Sequence, residues 1–194
     1  FLVGRNVDAR SKKIIFVSSC LLNTNNKVFG LARYPGMCKE IVDILQRYNL
    51  GINQMQCPET LYMGINRWWT TKNLYENHGF RCFCKELTQQ VVTYMEEYER
   101  VGYKTVGILG CDGSPTCGVD ITCWDDRWGG SPDKFEFHDA IIEGSGIYME
   151  ELKKEIKARG VTVPPFYGLA LDDESESMDK ILMDFEKYIV KICK

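Results

Sequence analysis

Apolar and polar positions alternate along the chain in blocks of strand and helix period. Ile14-Ile15-Phe16-Val17 is apolar on both faces of an extended chain, the pattern of a buried strand in a parallel sheet. Met37, Ile41, Ile44, Leu45 and Tyr48 then recur at helical spacing, with Pro35 suited to a first helical turn. Leu50 to Gln56 reads as a short second strand, closed by Cys57-Pro58 because proline cannot donate within a central strand. The next period is helical again, with Leu87, Val91, Tyr94, Met95, Tyr98 and Val101 on one face and Gly102 just past the end. Thr105 to Leu109 is the third strand. Ser145 is a candidate cap for a helix that buries Met149, Leu152 and Ile156 and stops at Gly160. Val161 to Val163 starts a fourth strand, interrupted by Pro164 and Pro165. The last helix opens on Asp172, Asp173 and Glu174 and closes on Lys187, Lys191 and Lys194, the charge order that the helix dipole favours.

Strand followed by helix, four times over, predicts an α/β fold: a four-stranded, mainly parallel sheet with helices on both faces, Rossmann-like or flavodoxin-like. Residues 1–11 show no period and are expected to be an unstructured leader, leaving 12–194 as one α/β domain. Two long stretches break the pattern, Thr60 to Cys84 and Gly110 to about Gly144. Loops of that length usually cover a site.

Composition narrows the classes. With 44% hydrophobic and 26% charged residues among 194, the chain is globular, and at this length it buries a conventional core without disulfide staples. No window approaches a membrane span and no signal-peptide layout precedes the first strand, so a cytoplasmic protein is expected. A formal charge of −3 argues against bulk nucleic-acid binding, which leaves at most a local tRNA contact. Nine cysteines against two histidines, His78 and His138, make cysteine the chemical resource. An odd number of thiols in a reducing compartment points to free thiols or metal ligands.

Their placement is informative. Cys20 follows the first strand, Cys57 the second, and Cys111 and Cys117 the third, so all four fall on the ligand-binding edge of the sheet. Three thiolates meeting in one crevice would suit an iron–sulfur cluster or a zinc ion. The plainer reading of Cys20 and Cys111 is as small hydrophobes ending buried strands. Cys57-Pro58-Glu59 sets a carboxylate two positions from a possible ligand, so that a metal and a general base share one turn. Gly110 to Gly118 is a glycine-bearing loop without the lysine and following helix of a phosphate loop.

Ser18-Ser19-Cys20-Leu21-Leu22, Cys57-Pro58-Glu59 and Gly113-Ser114-Pro115-Thr116-Cys117-Gly118, in that order after successive strands, resemble the thiouracil desulfidase (TudS-like) family. Ala32-Arg33-Tyr34-Pro35-Gly36 and Gly144-Ser145-Gly146 extend the resemblance over about Lys12 to Leu171. It implies a [4Fe-4S] cluster held by Cys20, Cys57 and Cys117 with one iron open, Cys111 being the competitor for the third position. It further implies Glu59 and Ser114 as catalytic residues, and the substrate-binding set drawn from it is Ser19, Arg33, Arg67 and Trp68. The implied activity removes sulfur as sulfide from a small thiolated pyrimidine base or nucleoside, of the 2-thiouracil or 4-thiouridine type, without net redox change. This chain departs from the family in an asparagine-rich segment after Cys20, in Pro35 where an aspartate is usual, and in expanded loops at Thr60 to Cys84 and Val119 to His138. Those loops hold Trp68, Trp69, Trp124 and Trp128, suited to stacking on a flat heterocycle or to forming a small core of their own. Cys38 and Cys193 read as helix packing residues, and Cys82, Cys84 and Cys123 as loop thiols. Two other functions compete: a metal-independent thiol or persulfide redox enzyme using Cys111 or Cys117, and a non-catalytic iron–sulfur or zinc protein.

Overall fold

The computed structural model describes residues 8–129, 140–171 and 175–194. In chain order the elements are β1 (Lys13–Val17), α1 (Ser19–Leu22), a 3₁₀ turn (Thr24–Asn26), α2 (Lys39–Arg47), β2 (Gly51–Gln54), α3 (Pro58–Met63), α4 (Lys72–Tyr75) and α5 (His78–Arg100). There follow β3 (Lys104–Cys111), β4 (Ile121–Cys123), β5 (Ile141–Glu143), α6 (Ile147–Ala158), β6 (Phe166–Leu169) and α7 (Met178–Cys193). Four parallel strands form one sheet in the order β2-β1-β3-β6, and β4 and β5 pair as a separate antiparallel ribbon. This is the doubly wound α/β arrangement expected from the pattern, with its switch point between β1 and β3.

Successive strand residues point to opposite faces, so two glycines of β3 report what covers each side. A Cβ on Gly107 would meet Tyr188 and Ile192 of α7, whereas one on Gly110 would meet Met149 of α6. The layer containing α7 also holds α2, whose Arg47 is ion-paired with Glu186. The opposite layer joins α5 to α6 through Arg81, which binds Glu151 at 2.6 Å and Glu150 at 2.9 Å. Between the layers, Ile14, Ile15, Phe16 and Val17 of β1 and Val106, Ile108 and Leu109 of β3 are all buried, which is why both runs lack polar alternation.

Several boundaries differ from the sequence expectation. The first long helix starts at Lys39, not near Pro35, because the chain before it is held extended: Cys38 N–H bonds Leu21 O and Thr24 N–H bonds Gly36 O. Met37 is consequently exposed, and Cys38 caps α2 rather than lying within it. Thr60 to Cys84 is not one loop, since it contains α3, α4 and the first turns of α5. Asn77 accepts the Phe80 N–H at 2.9 Å and starts α5 at His78, and buried Phe80 and Cys84 extend the Leu87, Val91 and Met95 stripe backward. Cys82 and Cys84 are thus helical, and Cys123, also assigned to a loop, lies in β4.

Ser145 does not cap α6. Its hydroxyl donates to Val119 O at 2.7 Å, and Gly146 takes the capping position. The fourth strand is Phe166–Leu169, after the prolines rather than before them. Proline lacks a donor but keeps its carbonyl, and Pro165 O accepts the Ile108 N–H at 3.0 Å to lead β6 into the sheet. The acidic opening assigned to residues 172–174 lies outside the described residues. The last helix as described starts at Met178, with Ser177 Oγ accepting the Lys180 N–H. Of the expected leader 1–11, residues 8–11 have no regular structure, although Arg10 reaches the Tyr103 hydroxyl at 2.9 Å. Among the described residues no helix is long and apolar enough to cross a membrane.

Candidate functional site at the carboxyl edge of the sheet

The strand ends at the switch point open into a cavity of about 410 Å³. Cys20, Cys57, Cys111 and Cys117 all line it, together with Glu59, Ser114, Arg33, Arg67 and Trp68. Each arrives on its own element: Cys20 from α1 after β1, Cys57 from the turn that caps α3 after β2, Cys111 as the last residue of β3, and Cys117 from the loop beyond it.

That loop is held from both sides. Cys111 N–H bonds Cys117 O at 2.9 Å, and Asp112 Oδ1 accepts the N–H groups of Val119 and Asp120 at 2.7 and 3.1 Å. The first-turn amides of α6, which have no partner inside their helix, bond back to the loop instead: Ile147 N–H to Pro115 O and Met149 N–H to Thr116 O. Gly146 sits so close to the Thr116 backbone that a Cβ there would overlap it.

Glu59 is buried and its two oxygens have different partners. Oε2 pairs with Arg67 Nε at 3.0 Å, and Oε1 accepts from Thr116 Oγ1 at 2.7 Å and from Ser114 Oγ at 3.4 Å. Ser114 Oγ in turn accepts the N–H groups of Thr116 and Cys117 at 3.2 and 3.0 Å, which fixes its hydroxyl between the loop backbone and the carboxylate. Arg67 also donates to Asn26 O, Gly64 O and Thr60 Oγ1. The guanidinium expected to bind substrate is therefore engaged by protein acceptors on every nitrogen. Ser19 is turned away from the cavity, its hydroxyl accepting from Asn26 and Gln54 side-chain amides at 2.6 and 2.8 Å. Arg33 and Trp68 do line the cavity, and Trp68 is 88% exposed at its rim.

The sulfurs have distinct surroundings. Cys20 hydrogen-bonds Cys111, and that contact together with burial pushes the Cys20 thiol well above the usual range. Burial also raises Cys57, reinforced by the Glu59 charge and opposed by Thr60, whose N–H and hydroxyl approach the sulfur at 3.5 and 3.3 Å. Cys117 is raised by burial and by nearby Cys57, against the pull of the Thr116 hydroxyl at 3.6 Å and of Ser18. Ser18 Oγ is buried and, apart from this approach to the Cys117 sulfur, has no hydrogen-bond partner among the described residues. Among the described residues, no group of three or more His, Cys, Asp and Glu side chains converges as the shell of a single metal ion.

Sequence reasoning had assigned no role to Thr116, Thr60 or Ser18. Thr116 is the unassigned position in Ser114-Pro115-x-Cys117, and residue spacing carries no signal for it. Asn26 holds Arg67 through its backbone carbonyl and Asp112 holds the loop through its carboxylate on two backbone amides, and neither arrangement leaves a mark in residue spacing.

Comparison with known proteins gives one informative relative, the uncharacterized protein MJ0003 of Methanocaldococcus jannaschii. It is 31% identical over 180 residues, covering 93% of this chain and 99% of that protein. The chain belongs to the MJ0003 family. No family model matches the chain, and no solved structure matches it significantly. Membership in the MJ0003 family carries no assigned activity, so the desulfidase resemblance rests on its motifs.

Proposed function

We propose that the protein is an iron–sulfur-dependent desulfidase that hydrolyses the thiocarbonyl of a thiolated pyrimidine base or nucleoside to a carbonyl and sulfide. The observation carrying this reading is that the three separate motifs line one cavity, bringing Cys20, Cys57 and Cys117 beside Glu59 and Ser114. The donor set fits the cofactor chemically. Soft thiols are the ligands that iron–sulfur clusters select, and each of the three is faced by a donor suited to a thiolate: Cys111 at Cys20, Thr60 at Cys57 and Ser18 at Cys117, the Thr116 proton being given to Glu59.

Bound there by Cys20, Cys57 and Cys117, a [4Fe-4S] cluster would supply a Lewis-acidic open iron for the substrate sulfur. The residues of the chain do the rest. Glu59 takes a proton from the water that adds to the thiocarbonyl carbon, and Thr116 and Arg67 hold its carboxylate in place. Ser114, anchored by two loop amides, directs its hydroxyl toward Glu59 and the reacting carbon. Water adds, the carbon–sulfur bond breaks, and the sulfur leaves as sulfide carrying the protons that water brought, so no electrons are exchanged. Trp68 offers an exposed ring at the rim for the flat base. The chain's charge of −3 favours a small-molecule substrate in a cytoplasmic enzyme.

A metal-independent thiol or persulfide enzyme using Cys111 or Cys117 is the second reading, and the raised Cys117 thiol works against it at that position, since the thiolate is the nucleophile. Anaerobic reconstitution followed by sulfide release from 2-thiouracil and 4-thiouridine tests the proposal. Iron should bind to the parent chain and be lost in Cys20→Ala, Cys57→Ala and Cys117→Ala. Glu59→Gln should keep iron and lose about 10²- to 10⁴-fold in rate, the usual worth of general-base catalysis. A thermal melt on the same variant separates a catalytic loss from a disturbed Arg67 pair. Sulfide release at the parental rate from folded, iron-loaded Glu59→Gln would refute the mechanism.

A further inference from the structure

A second cavity, of about 690 Å³, lies beside the first, and the proposed reaction gives it no role. The two share Lys27, Val28, Gly30 and Arg33 as a common wall. Apart from Ile65, the second cavity is lined from residues 24–35, a segment in which the chain departs from the desulfidase pattern. This segment is fastened to the first site. Thr24 N–H bonds Gly36 O, the Asn26 carbonyl accepts from Arg67 at 2.8 Å and from the Thr60 hydroxyl at 3.2 Å, and the Tyr34 hydroxyl donates to Cys20 O at 3.1 Å. Trp69 Nε1 donates to Phe29 O, and the ring lies so close that a Cβ on Gly30 would stand 3.0 Å from it. The charge of the cavity is one-sided. Lys27, which is buried, and Arg33, which is exposed, both line it, and the described residues around it include no Asp or Glu, in a chain whose net charge is −3.

We propose that this second cavity is an anion site that takes the phosphate group of a small molecule. An ammonium and a guanidinium on one wall suit a compact anion with several oxygens, the first as a point charge and the second as a fork able to give two parallel N–H bonds. Val28, Phe29 and Ala32 stand beside them, and an apolar surround makes each such contact worth more than on an open surface. The phosphate arrives in one of two ways. It is the 5′-phosphate of a thiolated nucleotide whose base lies in the first cavity, a route that rests on the desulfidase reading, or it belongs to a free phosphorylated compound that binds beside the substrate. The site itself stands without that reading, because its charge and its shape owe nothing to the cysteines.

The test is calorimetric titration of the full chain with inorganic phosphate, uridine 5′-monophosphate and uridine, which needs no turnover. Phosphate should bind the parent, and less tightly as salt is raised. Arg33→Gln and Lys27→Gln should each weaken it about tenfold or more, the worth of one charge-assisted hydrogen bond. Lys27 is buried, so a melt accompanies its variant, and Lys27→Arg, which keeps the charge, should bind phosphate nearly as well as the parent. Uridine 5′-monophosphate held about tenfold or more tighter than either phosphate or uridine assigns the phosphate to the substrate, since joining two occupants makes the second binding step intramolecular. Without that advantage, phosphate bound equally well in saturating uridine assigns it to a free ligand, and either result upholds the site. No binding of phosphate or of the nucleotide by the folded parent overturns the proposal. Binding that neither Arg33→Gln nor Lys27→Gln weakens overturns it too, as does phosphate that uridine displaces, which would lie in the first cavity. A reconstituted chain that releases no sulfide refutes the desulfidase reading and leaves the anion site standing.

Discussion

Replacing Thr116 by valine keeps nearly the same shape and removes one hydroxyl. That hydroxyl is the shortest contact Glu59 makes, 2.7 Å to Oε1, and both residues are buried. Without it Oε1 retains only Ser114 Oγ at 3.4 Å, close to the outer limit of a useful hydrogen bond. A hydrogen bond to a charged group contributes about 1.5–3 kcal/mol, and a buried acceptor left short of partners keeps its desolvation cost. Thr116→Val should therefore destabilise the chain by about 2 kcal/mol. For a protein of this size each kcal/mol moves Tm by roughly 2–4 °C, so a fall of about 4–8 °C is expected. Thr116→Ser is the control, since it keeps the hydroxyl and loses only a methyl, worth about 0.8 kcal/mol. Urea denaturation and calorimetry on the three chains measure both steps. If valine melts with the parent, or if serine is hurt more than valine, the hydroxyl does not support Glu59 and the site geometry argued above is wrong.

Other outcomes follow from single contacts. A Cβ on Gly168 would fall inside the Asp112 carboxylate, so Gly168→Ala should cost about 1–3 kcal/mol and much less on an Asp112→Ala background; equal costs in a double-mutant cycle by urea denaturation would refute the clash. Hydrogen bonds from Arg81 hold Glu76 below its ordinary value, and Lys72 and Arg81 do the same for Glu150 against the burial that raises it. Groups lowered in the folded state stabilise above their unfolded value near 4.5 and cease to as pH falls through the folded one, so the penalty of Arg81→Met, about 1–2 kcal/mol at pH 7, should shrink in melts at progressively lower pH below about 4.5. A penalty that stays constant with pH would refute the pairing. Trp68→Ala should leave stability unchanged within about 0.5 kcal/mol, because the ring is exposed, and on the proposed activity raise KM for the thiolated substrate; a large stability loss would show instead that Trp68 belongs to a loop core.

The main sheet was legible where burial is two-sided: β1 and β3 announce themselves as unbroken apolar runs. β6 was misplaced by a few residues because Phe166-Tyr167-Gly168-Leu169 contains the glycine that Asp112 requires and follows two prolines that read as a stop. β4 and β5 have three residues each and owe their pairing to each other, which no local period records. The start of α5 was hidden because Arg81, Cys82 and Phe83 crowd the turn in which only Phe80 and Cys84 are fully buried. At the site, the four strand-end cysteines and Glu59 were readable from their positions after apolar runs. Arg67 was not, since a lone arginine in a tryptophan-rich segment looks like a substrate contact until its acceptors are seen. Which thiol touches which is set by β1–β3 register, a property of the fold rather than of spacing.

The four cavity cysteines come from segments that the core has already fixed, and none belongs to a short chelating pair. A chain of this design reaches its native state by burying β1 and β3 between two helical layers, with nothing at the edge required for that step. Any inorganic group lodged there is a passenger of the fold and not its staple, in contrast to small zinc domains that collapse only on the metal. The chain without any such group should then be a stable, long-lived species, and substitutions at the edge should change its chemistry without endangering the scaffold.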